Sequence, residues 1–478
     1  MTNTLLHEIA EWRLEAKLED NERYFFHTAD VTLLENGSRS YLIGRKGTGK
    51  TAICEYLYKQ TGPKRFSRKL TFKSFPFNNL YQLENNRFKT PNQYITLWKY
   101  LIYSSVAKMM IENQNIDSDV RMNLEKVYGN DPVVSLQRTI SKWTGKNFEF
   151  TILGTGGAAG RTQNEVSNDM PWIERVEILE NLIQQNLDDS SYMIVFDELD
   201  EDYKDVSEPE KYSQYNALIT SLFKAIQDIR SIFALPDYKV FPILFLRDDI
   251  YDLVKDPDKS KWSDLIIELD WNTDKIKQLL TFRISRALDA SGNILYFDEA
   301  WDKIFLHQHV EYGFQQKKRM SPFDFITRST LIRPRDYVRY IRACAMSASA
   351  NNLPRVSPEI IRKVDKAFSN ELKGEMVDEA EGFLPEMREV FDIISHMRKQ
   401  KFSFSEFSIA YQTSVERGLL PKRDAEFILK VLFHFSIVGN QPRQKMVQIF
   451  RYQNKEARLN LNESLCVHRG LYKALQII

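Results

Sequence analysis

The sequence predicts an α/β fold with a parallel sheet, then a helical segment, then a smaller mixed C-terminal domain. Three observations predict it. Short, bounded apolar runs alternate with amphipathic helical stretches as far as about residue 290. A glycine-rich turn joins one such run to a helix. From about residue 295 the strand signal fades and helices dominate.

Residues 1–37 read as a charged, mostly helical lead-in, and Tyr24, Phe25 and Phe26 within it read as helix core, with contact to adenine as the alternative. Ser38 to Ile43 is a short strand. After the glycine turn, TAICEYLYKQTG has helical spacing and stops at Gly62. Lys69 to Phe77 alternates and reads as a strand. Residues 91–112 form a long amphipathic helix with Tyr94, Leu97, Trp98, Leu101 and Ile102 on its apolar face. A polar stretch follows, then a hairpin-like segment near 148–160, then a helix entered through Pro171. The runs Tyr192–Phe196, Lys239–Leu246 and Leu265–Leu269 are continuous and apolar, as strands buried on both faces are. Helices occupy 213–234 and 275–288.

With 478 residues, a prior of roughly 150 per domain gives about three. The expected division is a core over 1–294 with an insertion at about 63–170, a helical lid over 295–378, and a C-terminal domain over 379–478. Apolar residues make up 43% and charged residues 27%, ordinary globular usage. The net charge is +1, so any nucleic-acid surface must be local. Cys54, Cys344 and Cys466 lie too far apart for a zinc motif or a disulfide framework, which fits a reducing, cytoplasmic setting. No stretch approaches the roughly 18 apolar residues of a membrane span.

Gly44-Arg45-Lys46-Gly47-Thr48-Gly49-Lys50-Thr51 matches G-x-x-x-x-G-K-[ST] in full, between a strand and a helix. Glycines let successive N–H groups point at phosphate oxygens, and the helix adds the positive end of its dipole. Lys50 is the expected contact to the β- and γ-phosphates of ATP, and the Thr51 hydroxyl the expected Mg²⁺ ligand. Asp197 ends a buried strand, where its carboxylate can reach Mg²⁺, and Glu198 beside it can deprotonate an attacking water. A water-activating glutamate beside the metal aspartate favours an ATPase over a small-molecule kinase. Asp200, Glu201 and Asp202 read as a solvated acidic loop.

Several arginines could stabilise charge on the γ-phosphate. Arg247 ends the strand KVFPILFL; an ion pair with Asp248 or Asp249 is the competing reading. In TRSTLIRPRD, Arg335 opens a helix and is the first choice, followed by Arg333 and Arg328, with surface salt bridging as the alternative. Arg319, in a basic run, is a weaker candidate for action in trans. GTGGAAG (154–160) lacks a following Gly-Lys and reads as a hairpin tip.

Residues 381–478 carry 15 Lys and Arg against 10 Asp and Glu. Helices near 384–397, 403–413 and 422–437, then a ribbon in MVQIFRYQ, fit a winged helix-turn-helix. Lys422 and Arg423 start its third helix, and Arg443, Lys445 and Arg451 flank the wing. That third helix is very apolar, which leaves a docking module as the alternative to DNA binding.

GRKGTGKT, IVFDE, LFLRDD and LIRPRDYVRYI together resemble the ordered motifs of AAA+/STAND-type P-loop ATPases. The chain is similar to little-characterised bacterial P-loop ATPases with a C-terminal winged helix, in an origin-recognition-like layout. The resemblance implies Walker A at Gly44–Thr51, Walker B at Asp197 and Glu198, a first sensor at Arg247 and a second at Arg335. It implies an ATP-hydrolysing switch with ATP and Mg²⁺ as cofactors, acting in bacterial anti-phage defence. A homo-oligomer, a partner protein of the same system or DNA would be its partner. The alternative is a DNA-binding regulatory or assembly module with slowly hydrolysed nucleotide.

Overall fold

A computed structural model describes residues 2–72, 92–128, 150–153, 163–166, 172–199, 209–442 and 447–477. They form two compact units, one of residues 27–199 and 209–270, the other of residues 2–26 and 271–477. The expected boundary at 294/295 falls inside the second unit.

The first unit contains, in chain order, β1 (Tyr41–Gly44), α1 (Lys50–Lys59), β2 (Arg65–Thr71), α2 (Ile95–Glu112), α3 (Ser118–Tyr128), α4 (Trp172–Asn186), β3 (Ser191–Asp197), α5 (Pro209–Ile232), β4 (Val240–Arg247) and β5 (Ile266–Glu268). A short helix, Ala29–Glu35, precedes β1, and a hairpin pairs Phe150–Leu153 with Gln163–Val166. The five core strands form one parallel sheet in the order β2-β3-β4-β1-β5. Residues 192–197 and 240–246 are buried throughout, as continuous apolar strands between two helical layers must be. β2 begins at Arg65, four residues before the expected Lys69, and the expected residues 73–77 lie outside the described residues.

β4 is central and yet contains Pro242, a residue normally confined to edges. The Leu244 N–H donates to Ser40 O at 2.8 Å, on the β1 side. Alternation puts the missing N–H of Pro242 on that same side, before β1 begins at Tyr41. No ladder bond is lost. Tyr41 is itself anchored, its hydroxyl donating to Phe223 O of α5 at 2.8 Å with the two rings 4.5 Å apart. α3 occupies the expected polar stretch, burying Val120, Leu124 and Tyr128 at helical spacing.

The second unit takes in the N-terminal helix Thr2–Ala10, whose Leu5, Leu6 and Ile9 join Trp12 in its core. It continues with α6 (Thr273–Leu288), α7 (Phe297–Ile304), α8 (Pro334–Ala350) and α9 (Pro358–Ala380). Between α7 and α8 lies a small ribbon, Val310–Tyr312 with Lys318–Met320, in a stretch expected to be helical. Tyr24 packs edge-on against Trp12 in the core as expected, whereas Phe25 and Phe26 are half-buried beyond the helix end, Phe26 packing against Phe282 of α6. The chain ends with α10 (Met387–Met397), β6 (Lys401–Phe402), α11 (Phe404–Glu416), α12 (Ala425–His434), β7 (Val438–Gln441) and β8 (Ser464–Val467). The last three strands form an antiparallel sheet in the order β6-β8-β7, giving the element order of a winged helix.

One expectation is corrected here. The described residues of MVQIFRYQ, 447–453, do not form the ribbon. β7 pairs with β8, and the expected segment contributes a single bridge, Asn440 with Ile449. β7 and β8 bury Val438, Leu465, Cys466 and Val467, whereas Val447 is 60% exposed and Arg451 stands in a turn. Burial, not apolar content alone, selects the strands. Arg443 and Lys445 lie outside the described residues.

Candidate nucleotide site

The site is built on the C-terminal ends of β1, β3 and β4. Gly44 closes β1, level with Arg247 at the end of β4. It has no room for a side chain: a Cβ would lie 2.9 Å from Thr48 Oγ1 and 3.2 Å from Leu269 Cβ. Beyond it the loop turns through two left-handed residues, Gly47 at φ 82° and Gly49 at φ 102°. Thr48 is buried and donates its hydroxyl to Arg45 O at 2.7 Å, bracing the turn from inside. Gly49 caps α1, with Ile53 N donating to its carbonyl at 3.1 Å. The first N–H groups of a ten-residue helix therefore face the loop that the sequence marked for phosphate. Lys50 Nζ folds over the loop, donating to Gly44 O at 2.7 Å and Arg45 O at 3.0 Å. Thr51 lies in the first turn of α1, and Arg45 and Lys46 are half-buried in the loop.

β3 delivers the acidic pair. Asp197 is 4% exposed, and its Oδ2 is buried without a hydrogen-bond partner, 3.6 Å from Lys69 Nζ. Burial raises its carboxyl above the ordinary range and the charge of Glu198 adds to this, while Lys69 and Lys50 oppose it. Burial and the Asp197 charge also push the Cys54 thiol up. A buried carboxylate oxygen with an ammonium 3.6 Å away but no hydrogen-bond donor has room for a metal ion as well, and Mg²⁺ takes few protein ligands besides phosphate and water. Asp197 and Thr51 fit that role. Glu198 follows in a left-handed conformation, φ 61°, and accepts a hydrogen bond from Thr71 Oγ1 on β2.

Lys69 and Glu55 are site residues that the sequence reading missed. The Lys69 ammonium lies 2.5 Å from Glu55 Oε1 of α1, and both side chains are nearly buried. Their signal was present: Lys69 and Thr71 share a face of β2 by alternation, and Glu55 stands five residues after Lys50.

The arginines divide differently. Arg247 lies beside Gly44, but its Nε and Nη2 donate to the two oxygens of Asp249 at 3.0 and 2.5 Å. With both side chains almost buried, the competing ion-pair reading describes it better than the expected sensor role. Arg333, Arg335 and Arg328 belong to the second unit. Arg333 is 1% exposed and donates to Asp336, Glu375 and Glu379, so its guanidinium is committed to packing α8 on α9. That corrects the expectation that it contacts nucleotide. The Arg328 guanidinium lies 4.0 Å from the ring centres of both Tyr312 and Phe325. Burial, with Arg469 nearby, lowers its pKa to about 10. It too is an internal group. Arg335 is half-buried and donates to Glu375 at 3.1 Å. Arg319 is exposed and pairs with Glu311. In the C-terminal domain, Arg423 pairs with Glu386.

Residues 274–376 match the family model described as the FunZ-associated C-terminal helical domain, a span running from α6 into α9. The 80.3 kDa gamma-delta transposon protein of Escherichia coli (strain K12) is 20% identical over 490 residues, covering 95% of this chain. The chain spans 64% of that relative's length. Among solved structures, the Aeropyrum pernix ORC1 protein in complex with DNA aligns with a TM-score of 0.42 and 12% identity, over 97% of this chain and 96% of that one. The Aeropyrum pernix ORC2 protein in its ADPNP-ADP complexes gives 0.39 and 11%, over 94% and 89%. At such scores these likenesses carry no argument. Strand order, the loop after β1 and the acidic end of β3 establish the α/β P-loop fold by themselves. No described helix is long and apolar enough to cross a membrane.

Proposed function

We propose that the chain is an ATP-binding and ATP-hydrolysing molecular switch of the AAA+ type. One observation carries the reading. A glycine loop with two left-handed residues leads into the N-terminus of α1, on the same sheet edge as a buried Asp197 oxygen that lacks a hydrogen-bond partner.

In this reading the loop N–H groups and Lys50 hold the β- and γ-phosphates. Thr51 and Asp197 would hold Mg²⁺, which when bound neutralises phosphate charge. Glu198 orients a water and takes its proton as the water oxygen bonds to the γ-phosphorus and the bond to the ADP oxygen breaks. Arg335 as the arginine that answers the γ-phosphate is carried over from the motif resemblance. The helical domain and the C-terminal domain would transmit the nucleotide state to a second copy, a partner protein or DNA. A role in anti-phage defence is carried over from the motif resemblance.

The Thr71 hydrogen bond on Glu198 supports a second form of this reading, in which turnover is slow until an activator frees the glutamate. The test is binding of a fluorescent ATP analogue to wild type and Lys50→Ala, then ATP turnover with and without double-stranded DNA. Binding lost in Lys50→Ala supports the reading. Equal binding by both proteins overturns it.

A further inference from the structure

Resting on the nucleotide reading above, we infer that Lys69 is a positioning residue for the metal-holding carboxylate, tying Asp197 at the end of β3 to Glu55 on the helix after the phosphate loop. Three elements meet at its ammonium. Lys69 stands on β2, level with Val195 of β3 and two residues before Thr71. Its Nζ lies 2.5 Å from Glu55 Oε1 and 3.6 Å from Asp197 Oδ2. The side chains of Lys69, Glu55 and Asp197 are 11%, 12% and 5% exposed.

A buried lysine beside two carboxylates needs a reason, because charges removed from water must be compensated by close partners. Neutralising Glu55 alone needs only that pair. The geometry does more. Asp197 Oδ2 has no hydrogen-bond partner, and the Lys69 ammonium is its ion-pair partner at 3.6 Å. Glu55 lies one and a half helical turns after Lys50, so the same ammonium ties the helix bearing Lys50 and Thr51 to the strand bearing Asp197. The two metal-holding groups, on different elements, thereby share one cross-tie. Partners of this kind orient a ligand and set metal affinity without touching the metal.

The test separates this role from simple neutralisation of Glu55. Lys69→Met alone leaves two carboxylates buried without their cation and endangers folding. Lys69→Met/Glu55→Gln removes both charges and keeps the net charge of the cluster. The full chain is titrated with Mn²⁺ in the presence of AMP-PNP, and free Mn²⁺ is read by its EPR signal. Thermal melts check folding, and AMP-PNP binding without metal checks the phosphate loop. We expect the double variant to fold and to bind AMP-PNP alone as wild type does, with Mn²⁺ affinity about 10-fold weaker or more. Lys69→Arg should recover part of the loss. Wild-type Mn²⁺ affinity in the double variant overturns the inference and leaves Lys69 as the partner of Glu55. Failure of wild type to bind Mn²⁺ with AMP-PNP, or no loss in Asp197→Asn, overturns the nucleotide reading itself and the inference with it.

Discussion

Thr71 Oγ1 donates a hydrogen bond to Glu198 Oε2, at the level where β2 and β3 pair Thr71 with Asp197. The bond occupies one oxygen of the carboxylate assigned to take a proton from water, and a carboxylate that accepts a hydrogen bond is a weaker base. Thr71→Val removes the donor and keeps the shape. Steady-state ATP turnover should rise about 3-fold or more, with nucleotide affinity unchanged. A fall in turnover would mean that the hydroxyl orients Glu198 productively.

Gly49 is required by its backbone and not by crowding. At φ 102° it has nothing within 4 Å of where a Cβ would stand. Gly49→Ala should therefore cost about 1–2 kcal/mol from left-handed backbone alone. Because the strain falls at the start of α1, ATP binding should weaken more than unfolding does. Thermal melts with and without ATP compare the two.

Arg247 and Asp249 are 12% and 7% exposed and joined through two hydrogen bonds. Removing one partner of such a pair strands the other, at about 3 kcal/mol. Arg247→Ala should lower stability by that amount and leave ATP affinity within about 2-fold. A variant of normal stability that binds ATP but does not turn it over would restore the sensor assignment.

Glu375 ties α8 to α9 through Arg333, Arg335 and Arg339. Burial alone would raise its carboxyl, but Arg333, Arg339 and Arg335 outweigh burial and hold it at about 2. Its folded value lies below its unfolded one, so the stabilisation is fully present above pH of about 4.5 and is lost as pH falls towards 2. Glu375→Gln should be less stable at pH 7 by about 3 kcal/mol and lose less stability on acidification. Urea melts at pH 7, 4 and 3 give both slopes.

The sequence carried the strand–loop–helix of the phosphate site in full, because Gly44, Gly47, Gly49, Lys50 and Thr51 are set by local backbone chemistry. It carried Asp197 and Glu198 because a buried parallel strand announces itself as an apolar run. It did not carry the arginine roles. Whether Arg333 faces a ligand or a carboxylate depends on Glu375 and Glu379, about 40 residues further along and brought back by α9. The shared face of Lys69 and Thr71 was legible, but the partners of Lys69 were not, since Glu55 and Asp197 reach it from different elements. α3 was missed because its apolar residues are scattered among polar ones, although the buried Val120, Leu124 and Tyr128 have helical spacing.

The central claim is that Glu198 performs the chemistry while the glycine loop and Lys50 perform the binding. Mg²⁺-dependent phosphate release measured side by side on wild type, Lys50→Ala and Glu198→Gln tests it most directly, with ATP binding measured on the same samples. The account predicts that Glu198→Gln binds ATP as wild type does but loses turnover by about 100-fold or more, while Lys50→Ala loses both. Undiminished turnover in Glu198→Gln would contradict it.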